Sequence, residues 1–587
     1  MSRKNKNNTS NIKQEVKPKS VKQNNKNNIK PENSKFFWIL LFIPIIITWI
    51  TYFGALKNGF VSWDDEGYIH ENLKVIGNFS TEGWSYIFSN NVMANYHPIT
   101  IMVYNFIYHF FKLNPYPYHF FNVLFHLINT GLVFYFIYKL SNKKLLVGFI
   151  TALLFGIHPL HVESVAWIAE TKDVLYTFFF LLSLIAYHKY DNQKANIKYY
   201  LFALVLFVLS CMSKGMAVSL SVVLVLIDYL KNKKFTKEII IEKIPFFFIS
   251  IIFGIIAIKA QQAADGFYNL SNYTIFQKIL FPFYAVIFYI YKMVMPVNLA
   301  IIYPYPFILT FEYFLAPILL IALVFVAYFT RKFTNKIIFG LLFFGACIAP
   351  IIQILPVGQA IASDRYFYVS SIGLFFLVAE GFYYLYNEKF SNSFANRSIM
   401  MVLGVAICVV FISNTNNRIK TWNNTLTLWT ELGKTNPFID KAWYGAGLFL
   451  QRQNDLEKAK YYYNKALEVN PNNIKALNNL GNCLYNTNKI DSAYTYYQRL
   501  LALDTNFIQV YHNVGNIYVQ KNQLDKAEKS YLKAISLDKN FAISYYGLAI
   551  IYMIRKDQKK SNEYFIKSAQ LGYGDAKKAL TQQGIKF

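Results

Sequence analysis

The feature that most constrains this chain is a series of apolar runs, each long enough to cross a bilayer, that recurs from residue 36 to about residue 415. Hydrophobic residues make up 55% of the chain, above the roughly 45–50% of soluble domains. The composition therefore indicates a membrane protein with a soluble part attached. We predict eleven spans, at residues 36–56, 118–139, 145–164, 168–187, 199–213, 216–230, 244–260, 311–330, 337–355, 366–385 and 398–414.

Connections that carry Lys and Arg orient these spans. Under the positive-inside rule, five such connections are predicted to face the cytoplasm together with the N-terminus. They lie at residues 139–144, 189–198, 231–243, 331–336 and 389–397. Eleven spans then place the C-terminus outside. The apolar segment 276–295 would add a twelfth span and move Arg331 and Lys332 to the wrong side. We therefore interpret it as re-entrant or lying at the outer interface.

The N-terminal segment 1–35 carries ten Lys and Arg against Glu15 and Glu32, with almost no apolar residues. This composition predicts a disordered, basic cytoplasmic tail. The positive-inside rule and attraction to anionic lipid explain its charge more simply than nucleic-acid binding, so we predict no nucleic-acid partner. The other predicted boundaries are a membrane domain at 36–415, a capping or linker helix at 416–439 and a repeat domain at 440–587.

The C-terminal part repeats with a period of 34 residues, which separates Gly447, Gly481, Gly515 and Ala549. Small and aromatic residues recur at fixed offsets from these positions, as Ala459, Ala493, Ala527, Tyr463, Tyr497, Tyr531 and Phe565. This pattern resembles the tetratricopeptide repeat (TPR), in about four copies. The predicted fold class is thus all-α, with a polytopic helical membrane domain followed by a TPR α-solenoid.

Three successive carboxylates, Asp64, Asp65 and Glu66, follow the first predicted span by a few residues. Aromatic residues on both sides predict that this loop packs against the protein. Desolvation and like-charge repulsion raise the basicity of carboxylates, as a general base requires. We therefore predict that the cluster is catalytic. The alternative is a loop in which an Asp caps a short helix.

The predicted orientation places two further polar stretches, 156–173 and 358–366, on the same outer face as the loop 57–117. Ionisable groups at membrane depth are costly, so they are functional candidates by default. We predict a substrate-binding set from these three stretches, consisting of His97, His158, His161, Glu163, Lys172, Asp173, Asp364 and Arg365.

The histidines admit more than one interpretation. His97 either holds a phosphate or sugar hydroxyl or is an interface residue. His158, His161 and Glu163 have the look of a metal set, but Pro159 indicates a bend and no cysteine assists. We favour a polar lining of a substrate cavity and predict no metal site.

The charged residues also have two interpretations. Glu163, Lys172 and Asp173 either line the cavity or form an ion-pair network. The guanidinium of Arg365 suits a pair of phosphate oxygens, or anchors a helix at the headgroups, and Asp364 beside it neutralises its charge in either case. Lys214 either contacts an anion as well or simply lies in the turn between two spans.

Several familiar signatures are missing. The four cysteines have no metal spacing and no disulfide pattern. The sequence contains no Walker loop, Gly-x-Ser-x-Gly elbow or HExxH helix. Acidic and basic groups at one membrane face without a nucleotide motif suit a lipid-linked substrate. No cofactor is predicted, and dependence on a divalent metal is left open.

The order of the tail, the first span, the acid loop, the further spans and the repeats resembles that of the transmembrane and tetratricopeptide-repeat O-mannosyltransferases, which belong to the C-type glycosyltransferase superfamily. The likeness rests on FVSWDDE at 60–66, YHFFNVLFH at 118–126, HPLHVES at 158–164 and SDRY at 363–366. Relatives often carry Tyr-Arg-Pro-Leu where this chain has YHPI at 96–99. His97 therefore stands in place of a cationic contact of the family.

The resemblance implies an inverting transfer of mannose or another hexose from a polyprenyl-phosphate sugar, on the non-cytoplasmic face, to Ser or Thr hydroxyls of a protein. An acidic residue of the first outer loop acts as base, which leaves Asp64, Asp65 and Glu66 open. The repeats would present the acceptor protein. Asn, Lys and Ile usage suggests a bacterial inner membrane with periplasmic or external repeats, or an endoplasmic reticulum membrane with lumenal repeats if the source is eukaryotic.

Two other functions remain as alternatives. In the first, the chain modifies a lipid or a cell-envelope glycan, with the repeats recruiting partners. In the second, it is a non-enzymatic scaffold or a transporter. A transporter favours ionisable groups in the middle of spans and an inverted repeat of spans, and the sequence has neither.

Overall fold

A computed structural model describes residues 34–72, 77–193, 196–234, 236–306, 308–352, 354–358 and 360–586. The predicted disordered tail therefore lies outside the described residues, apart from Ser34 and Lys35. The N-terminal part consists of helices α1 (Ser34–Tyr52), α2 (Thr81–Ser89), α3 (Pro98–Phe111), α4 (Pro115–Leu140), α5 (Leu145–Ile157), α6 (Val162–Ala166), α7 (Thr171–Gln193), α8 (Ile197–Ser213), α9 (Leu220–Leu230), α10 (Lys237–Ala263), α11 (Ile275–Val294), α12 (Phe311–Thr330), α13 (Lys336–Ile348), α14 (Phe367–Tyr384) and α15 (Phe394–Ile419).

Seven of these helices are long and apolar enough to cross a membrane, namely α1, α4, α10, α11, α12, α14 and α15. An eighth span results if α5 and the segment Pro159–Ala166, bent by 56° from it, cross together. Each predicted span contains a helix, but α8, α9 and α13 have only 17, 11 and 13 residues. A bilayer core needs about 20 residues in a helix, so these short helices do not meet that length alone.

The bend after α5 has a local cause. Pro159 has no N–H to continue the helix, and the residue before a proline avoids helical backbone angles. His158 is accordingly extended, with φ −71° and ψ 131°. The predicted bend is confirmed, and it places the second polar stretch where the chain changes direction.

The segment predicted to be re-entrant or interfacial forms the single unbroken helix α11, so the re-entrant interpretation is wrong. The segments that flank this helix both contact the segment between α13 and α14. Tyr268 N–H donates to Pro356 O at 2.7 Å, and strand β1 (Tyr303–Pro304) pairs antiparallel with β2 (Ala360–Ala362). Open strand edges are unstable in hydrocarbon. Their position beside both ends of α11 favours the interfacial interpretation, which stays a prediction because α11 is also long and apolar enough to cross a membrane.

The C-terminal part is an array of helix pairs. A linking helix α16 (Thr425–Thr435) precedes four pairs and a final helix, which are α17 (Asp440–Arg452), α18 (Leu456–Val469), α19 (Ile474–Asn486), α20 (Ile490–Leu503), α21 (Ile508–Gln520), α22 (Leu524–Leu537), α23 (Ala542–Ile554), α24 (Gln558–Gln570) and α25 (Gly574–Gln582). The prediction of about four repeats is confirmed by this order.

Close packing explains why the 34-residue period pairs a glycine with an aromatic residue. A Cβ atom added at Gly481 would lie 2.4 Å from the ring of Tyr497, and one at Gly515 would lie 2.4 Å from the ring of Tyr531. Both tyrosines are buried. The first helix of each of these pairs thus needs a residue without a side chain where the second helix places its ring.

One hydrophobic core runs from the membrane helices into the start of the array. It continues through Trp422 and Trp429 to Ala442 and Ala446 of α17. The repeats therefore do not hang from a free linker. They begin as part of the same packed body.

Candidate active site

The acid loop separates its three carboxylates by environment. Asp64 and Asp65 precede a single π-helical turn, Glu66–His70. Such turns are rare and occur frequently at functional sites. The wide π turn places neighbouring side chains in different surroundings, so the three carboxylates do not share the same partners.

Asp65 is a buried anchor. It is 1% exposed, and its two oxygens accept hydrogen bonds from Val61 N–H and Ala169 N–H, each at 2.9 Å. Burial raises the pKa of Asp65 to about 7, although both hydrogen bonds favour the charged form. This carboxylate ties the acid loop to the second polar stretch.

Asp64 is half-buried and is the unengaged member of the cluster. Among the described residues it accepts no hydrogen bond. Burial raises the pKa of Asp64 above its ordinary value, and the charges of Lys172 and Arg365 act in the opposite direction. A carboxylate with free oxygens, raised basicity and two cations nearby is equipped to accept a proton.

Glu66 points away from these groups. Its carboxylate forms an ion pair with Arg452 of α17 at 3.0 Å, with exposed side-chain fractions of 33% and 57% respectively. Exposed pairs of this kind contribute little to stability. The third acid therefore contacts the repeats.

A buried carboxylate, Glu170, organises the cations of the site. Its oxygens lie 3.2 Å from Lys172 Nζ, 3.2 Å from Lys214 Nζ and 3.4 Å from Arg365 Nε. The side chain of Arg365 is 23% exposed, against 8% for Lys172 and 13% for Lys214. Arg365 is therefore the most accessible of the three cations.

The predicted ion-pair network exists, but its pairs differ from the expected ones. Glu163 bonds to the guanidinium of Arg365. It also accepts a hydrogen bond from the backbone N–H of Arg365 at 3.2 Å. Asp173 bonds to Lys214 and accepts a hydrogen bond from Ser164 Oγ at 2.9 Å. Both acids are thus joined to Lys172 through Glu170, rather than paired with it directly.

Asp364 does not neutralise the adjacent Arg365, contrary to the prediction. It pairs with Arg418 at 3.2 Å and accepts a hydrogen bond from Tyr303 Oη at 2.8 Å. Arg418 also donates to the carbonyl of Ala300 at 2.7 Å. Arg418 was not among the predicted site residues, although the polar run at 414–418, at the end of an apolar span, was a signal.

The structure places His158 and His161 inside the protein, where both side chains are fully buried. His158 Nε2 lies 2.9 Å from Met293 O, and its Nδ1 accepts Leu160 N–H at 3.2 Å. His161 lies 2.7 Å from Phe155 O and 3.1 Å from Ser371 Oγ. Both rings therefore hold the bend after α5.

His97 is buried beside the site, with its ring centroid 5.3 Å from that of Tyr68. Burial lowers the pKa of His97 to about 3, so the ring is neutral at physiological pH. It does not supply a positive charge. Lys172 Nζ lies 3.4 Å from the hydroxyl of Tyr68, so the cation at this ring is Lys172.

Polar residues of α4 brace these loops. His119 Nε2 lies 3.3 Å from Gly59 O, before the acid loop. Asn122 donates to Trp167 O at 3.0 Å and accepts from Thr171 Oγ1 at 2.6 Å. The polar positions of the 118–126 motif thus fix the first and second polar stretches relative to each other.

The linking helix covers the acid loop from the other side. Ser62 N–H donates to Thr425 Oγ1 at 2.9 Å, and the two side-chain oxygens are 3.2 Å apart. The rings of Trp63 and Trp429 stack at 4.9 Å. The acid loop and the start of the repeats therefore lie on the same face of the membrane domain.

These features define the class of the protein as a polytopic helical membrane protein with a TPR array docked at a charged surface site. The TPR repeat family model matches residues 515–553, and the Tetratricopeptide repeat family model matches residues 450–514. Among solved structures, that of MamA aligns with 26% of this chain and 89% of its own, at 21% identity and a TM-score of 0.24.

Curated relatives extend the likeness through the membrane domain. A Caenorhabditis elegans protein O-mannosyl-transferase is 28% identical over 468 residues, which cover 74% of this chain and 63% of that protein. Human protein O-mannosyl-transferase TMTC3 is 23% identical over 493 residues, 74% of this chain and 52% of its own length. The chain thus spans between half and two thirds of these relatives. The predicted resemblance to the O-mannosyltransferases with TPR repeats is confirmed.

We expect Asp65→Asn to destabilise the protein and Asp64→Asn to leave stability unchanged. An asparagine at position 65 turns an NH₂ group toward one of two backbone N–H donors, and an unsatisfied buried donor costs about 1–3 kcal/mol. Thermal unfolding of the purified variants in nanodiscs measures the difference. Equal midpoints for both variants and wild type would show that Asp65 is not an anchor.

Proposed function

We propose that the chain is a membrane glycosyltransferase that moves mannose or another hexose from a polyprenyl-phosphate donor to Ser or Thr hydroxyls of a protein. The similarity to protein O-mannosyl-transferases supports protein glycosylation in general. The observation that carries the proposal is the environment of Asp64, a carboxylate with free oxygens beside two cations. An inverting transfer needs these two kinds of group.

In this proposal Asp64 is the general base. It takes the proton of the acceptor hydroxyl as the oxygen attacks the anomeric carbon and the bond from that carbon to the donor phosphate breaks. The lipid phosphate leaves as an anion and needs cationic stabilisation, with no proton from a general acid. Asp65 and Glu66 are held by other partners, which favours Asp64 among the three acids.

Arg365 and Lys172 are proposed to receive the donor phosphate. Lys172 contacts Tyr68, four residues after Asp64, and the charges of Lys172 and Arg365 both lower the pKa of Asp64, which supports a phosphate site near the base. The planar guanidinium of Arg365 can offer two parallel N–H groups to a pair of phosphate oxygens. Its greater exposure makes it the first contact, with Lys172 deeper in the site.

The acceptor is proposed to arrive along the repeats, on the non-cytoplasmic side. The contacts of the acid loop with α16 and α17 support this arrangement, because they keep the array and Asp64 on one face. Holding a peptide on the array then raises its effective concentration at the base, into about the millimolar range. The compartment follows from the positive-inside orientation of the spans.

Asp64→Asn is expected to lower turnover by about 10²–10⁴-fold, the usual contribution of a general base. Because the base acts ionised, wild-type kcat/KM should rise with pH toward the raised pKa of Asp64 and then level off. Transfer of radiolabelled mannose from polyprenyl-phosphate mannose by membranes that contain the protein measures both effects.

Glu66→Gln is the matched control, since it removes an acid of the same loop with a loss expected below about threefold, as for an exposed ion pair. Full activity of Asp64→Asn would refute the assignment of the base. Label in lipid or glycan and not in protein would favour the envelope-glycan alternative. No transfer from any polyprenyl-phosphate hexose would favour a scaffold.

Arg365→Lys is expected to raise the KM for the donor about tenfold, because the charge remains but the paired N–H groups are lost. The pH profile should keep its shape, since Asp64 is still present. Donor titrations of wild type, Arg365→Lys and Arg365→Ala provide the measurement. An unchanged donor KM in both variants would leave Arg365 as a structural partner of Glu163.

A further inference from the structure

A second charged site lies at the opposite end of the membrane helices. It is a cavity of about 1230 Å³ lined by the ends of α4, α7, α9 and α14 and the turns that follow α4, α9 and α12. On α7, Lys172 of the acid-loop site and His188 of the cavity are 16 residues apart. That separation is about 24 Å along a helix, so the cavity is distinct from the candidate active site.

The cavity is strongly basic. Two carboxylates, Asp191 and Glu380, line it together with the eight cations Lys139, Lys143, Lys144, Lys231, Lys233, Arg331, Lys332 and Lys336. The positive-inside rule explains why such residues lie near one membrane face. It does not explain why loops far apart in the sequence direct them into one concavity, where like charges repel.

Both carboxylates are already shared by lysines. Glu380 lies 3.2 Å from Lys144 Nζ and 2.7 Å from Lys336 Nζ. Asp191 contacts Lys231 at 2.7 Å and also bonds to Lys233. These pairs, with a further contact of Lys233 to Asp228 at 2.9 Å, hold four of the cations in place, and no other carboxylate among the described residues lines the cavity.

The other four cations have no carboxylate partner within the described part of the chain. Arg331 stacks on Tyr328, 3.8 Å from the ring centroid, and Lys139 lies 5.3 Å from that of Tyr135. Lys143 and Lys332 are exposed at the cavity and make no ion pair there. The cavity therefore carries uncompensated charge on accessible side chains.

The turns that carry these residues are pre-arranged. Lys143 adopts a left-handed backbone conformation with φ 65°, and its N–H donates to Tyr138 O at 2.8 Å. A non-glycine residue in this region is uncommon. The amide of Asn335 donates to Asn232 and joins two of the turns. Turns whose backbone is fixed before binding cost less to order around a ligand.

We propose that this cavity is a binding site for a phosphate group. A phosphate offers several anionic oxygens, which suit convergent ammonium and guanidinium donors. The group can belong to the headgroup of an anionic phospholipid or to a soluble phosphorylated compound, since both present the same chemistry at this face. The site is independent of the proposed transfer reaction.

Lysine footprinting tests the site in the full chain. Wild type in phosphatidylcholine nanodiscs is treated briefly with an amine-acetylating reagent, alone, with inorganic pyrophosphate, or with phosphatidic acid in the nanodisc. Mass spectrometry then gives the initial labelling rates of Lys143 and Lys332. Exposed Lys198 and Lys389, on connections assigned to the same face but outside the cavity, are the matched controls.

Protection of Lys143 and Lys332 by about fivefold or more, with the controls unchanged, is the expected result for a site of several converging cations. Protection by pyrophosphate alone identifies a soluble ligand, and protection by phosphatidic acid alone identifies a lipid headgroup. Equal slowing at Lys198 and Lys389 would indicate a diffuse surface charge and overturn the proposal. Unchanged rates at all four lysines with both ligands would also overturn it.

The double variant Lys143→Gln/Lys332→Gln provides a second measurement. In this variant Lys139 still lines the cavity and reports on binding. Half protection of Lys139 should require about tenfold more pyrophosphate than in wild type, because two accessible charges are gone. The variant Lys198→Gln/Lys389→Gln should match wild type. Equal concentrations for both double variants would contradict a built site.

Discussion

Glu170 is a buried carboxylate that binds three cations from separate parts of the chain, and the candidate active site depends on it. An ion taken out of water without partners costs several kcal/mol, so Glu170, Lys172, Lys214 and Arg365 are tolerable only together. Arg365 joins the polar stretch 358–366 to the stretch 156–173, which contains Glu170. Lys214 joins the start of the turn after α8 to Glu170. The site is thus assembled by charge compensation between segments that are far apart in sequence.

This arrangement gives neighbouring acids different tasks. Asp65 uses both oxygens to hold backbone N–H groups, while Asp64 keeps its oxygens free beside the cations. A rigid anchor next to a free carboxylate fixes the position of the free one without occupying it. Precise placement of a base relative to the bound donor is worth several orders of magnitude in rate.

The sequence was sufficient for the parts of the fold that depend on local pattern. Apolar runs predicted the helices, and the 34-residue spacing of glycines such as Gly481 predicted the repeats. It did not distinguish Asp64 from Asp65, because the difference lies in Ala169 N–H, 104 positions away. Nor did it predict that Asp364 pairs with Arg418 and not with its neighbour, since such pairs form only once the helices are packed.

The acid loop and the start of the repeats form one packed body on one face of the membrane domain. The most direct test is a disulfide between Ser62→Cys and Thr425→Cys in a cysteine-free background, because the native side-chain oxygens are 3.2 Å apart. Oxidation of native membranes should link this pair rapidly. Ser62→Cys with Thr435→Cys, about 15 Å further along the same helix, should not link. Failure of the first pair to link, or equal linking of both pairs, would show that the acid loop and α16 are not packed together.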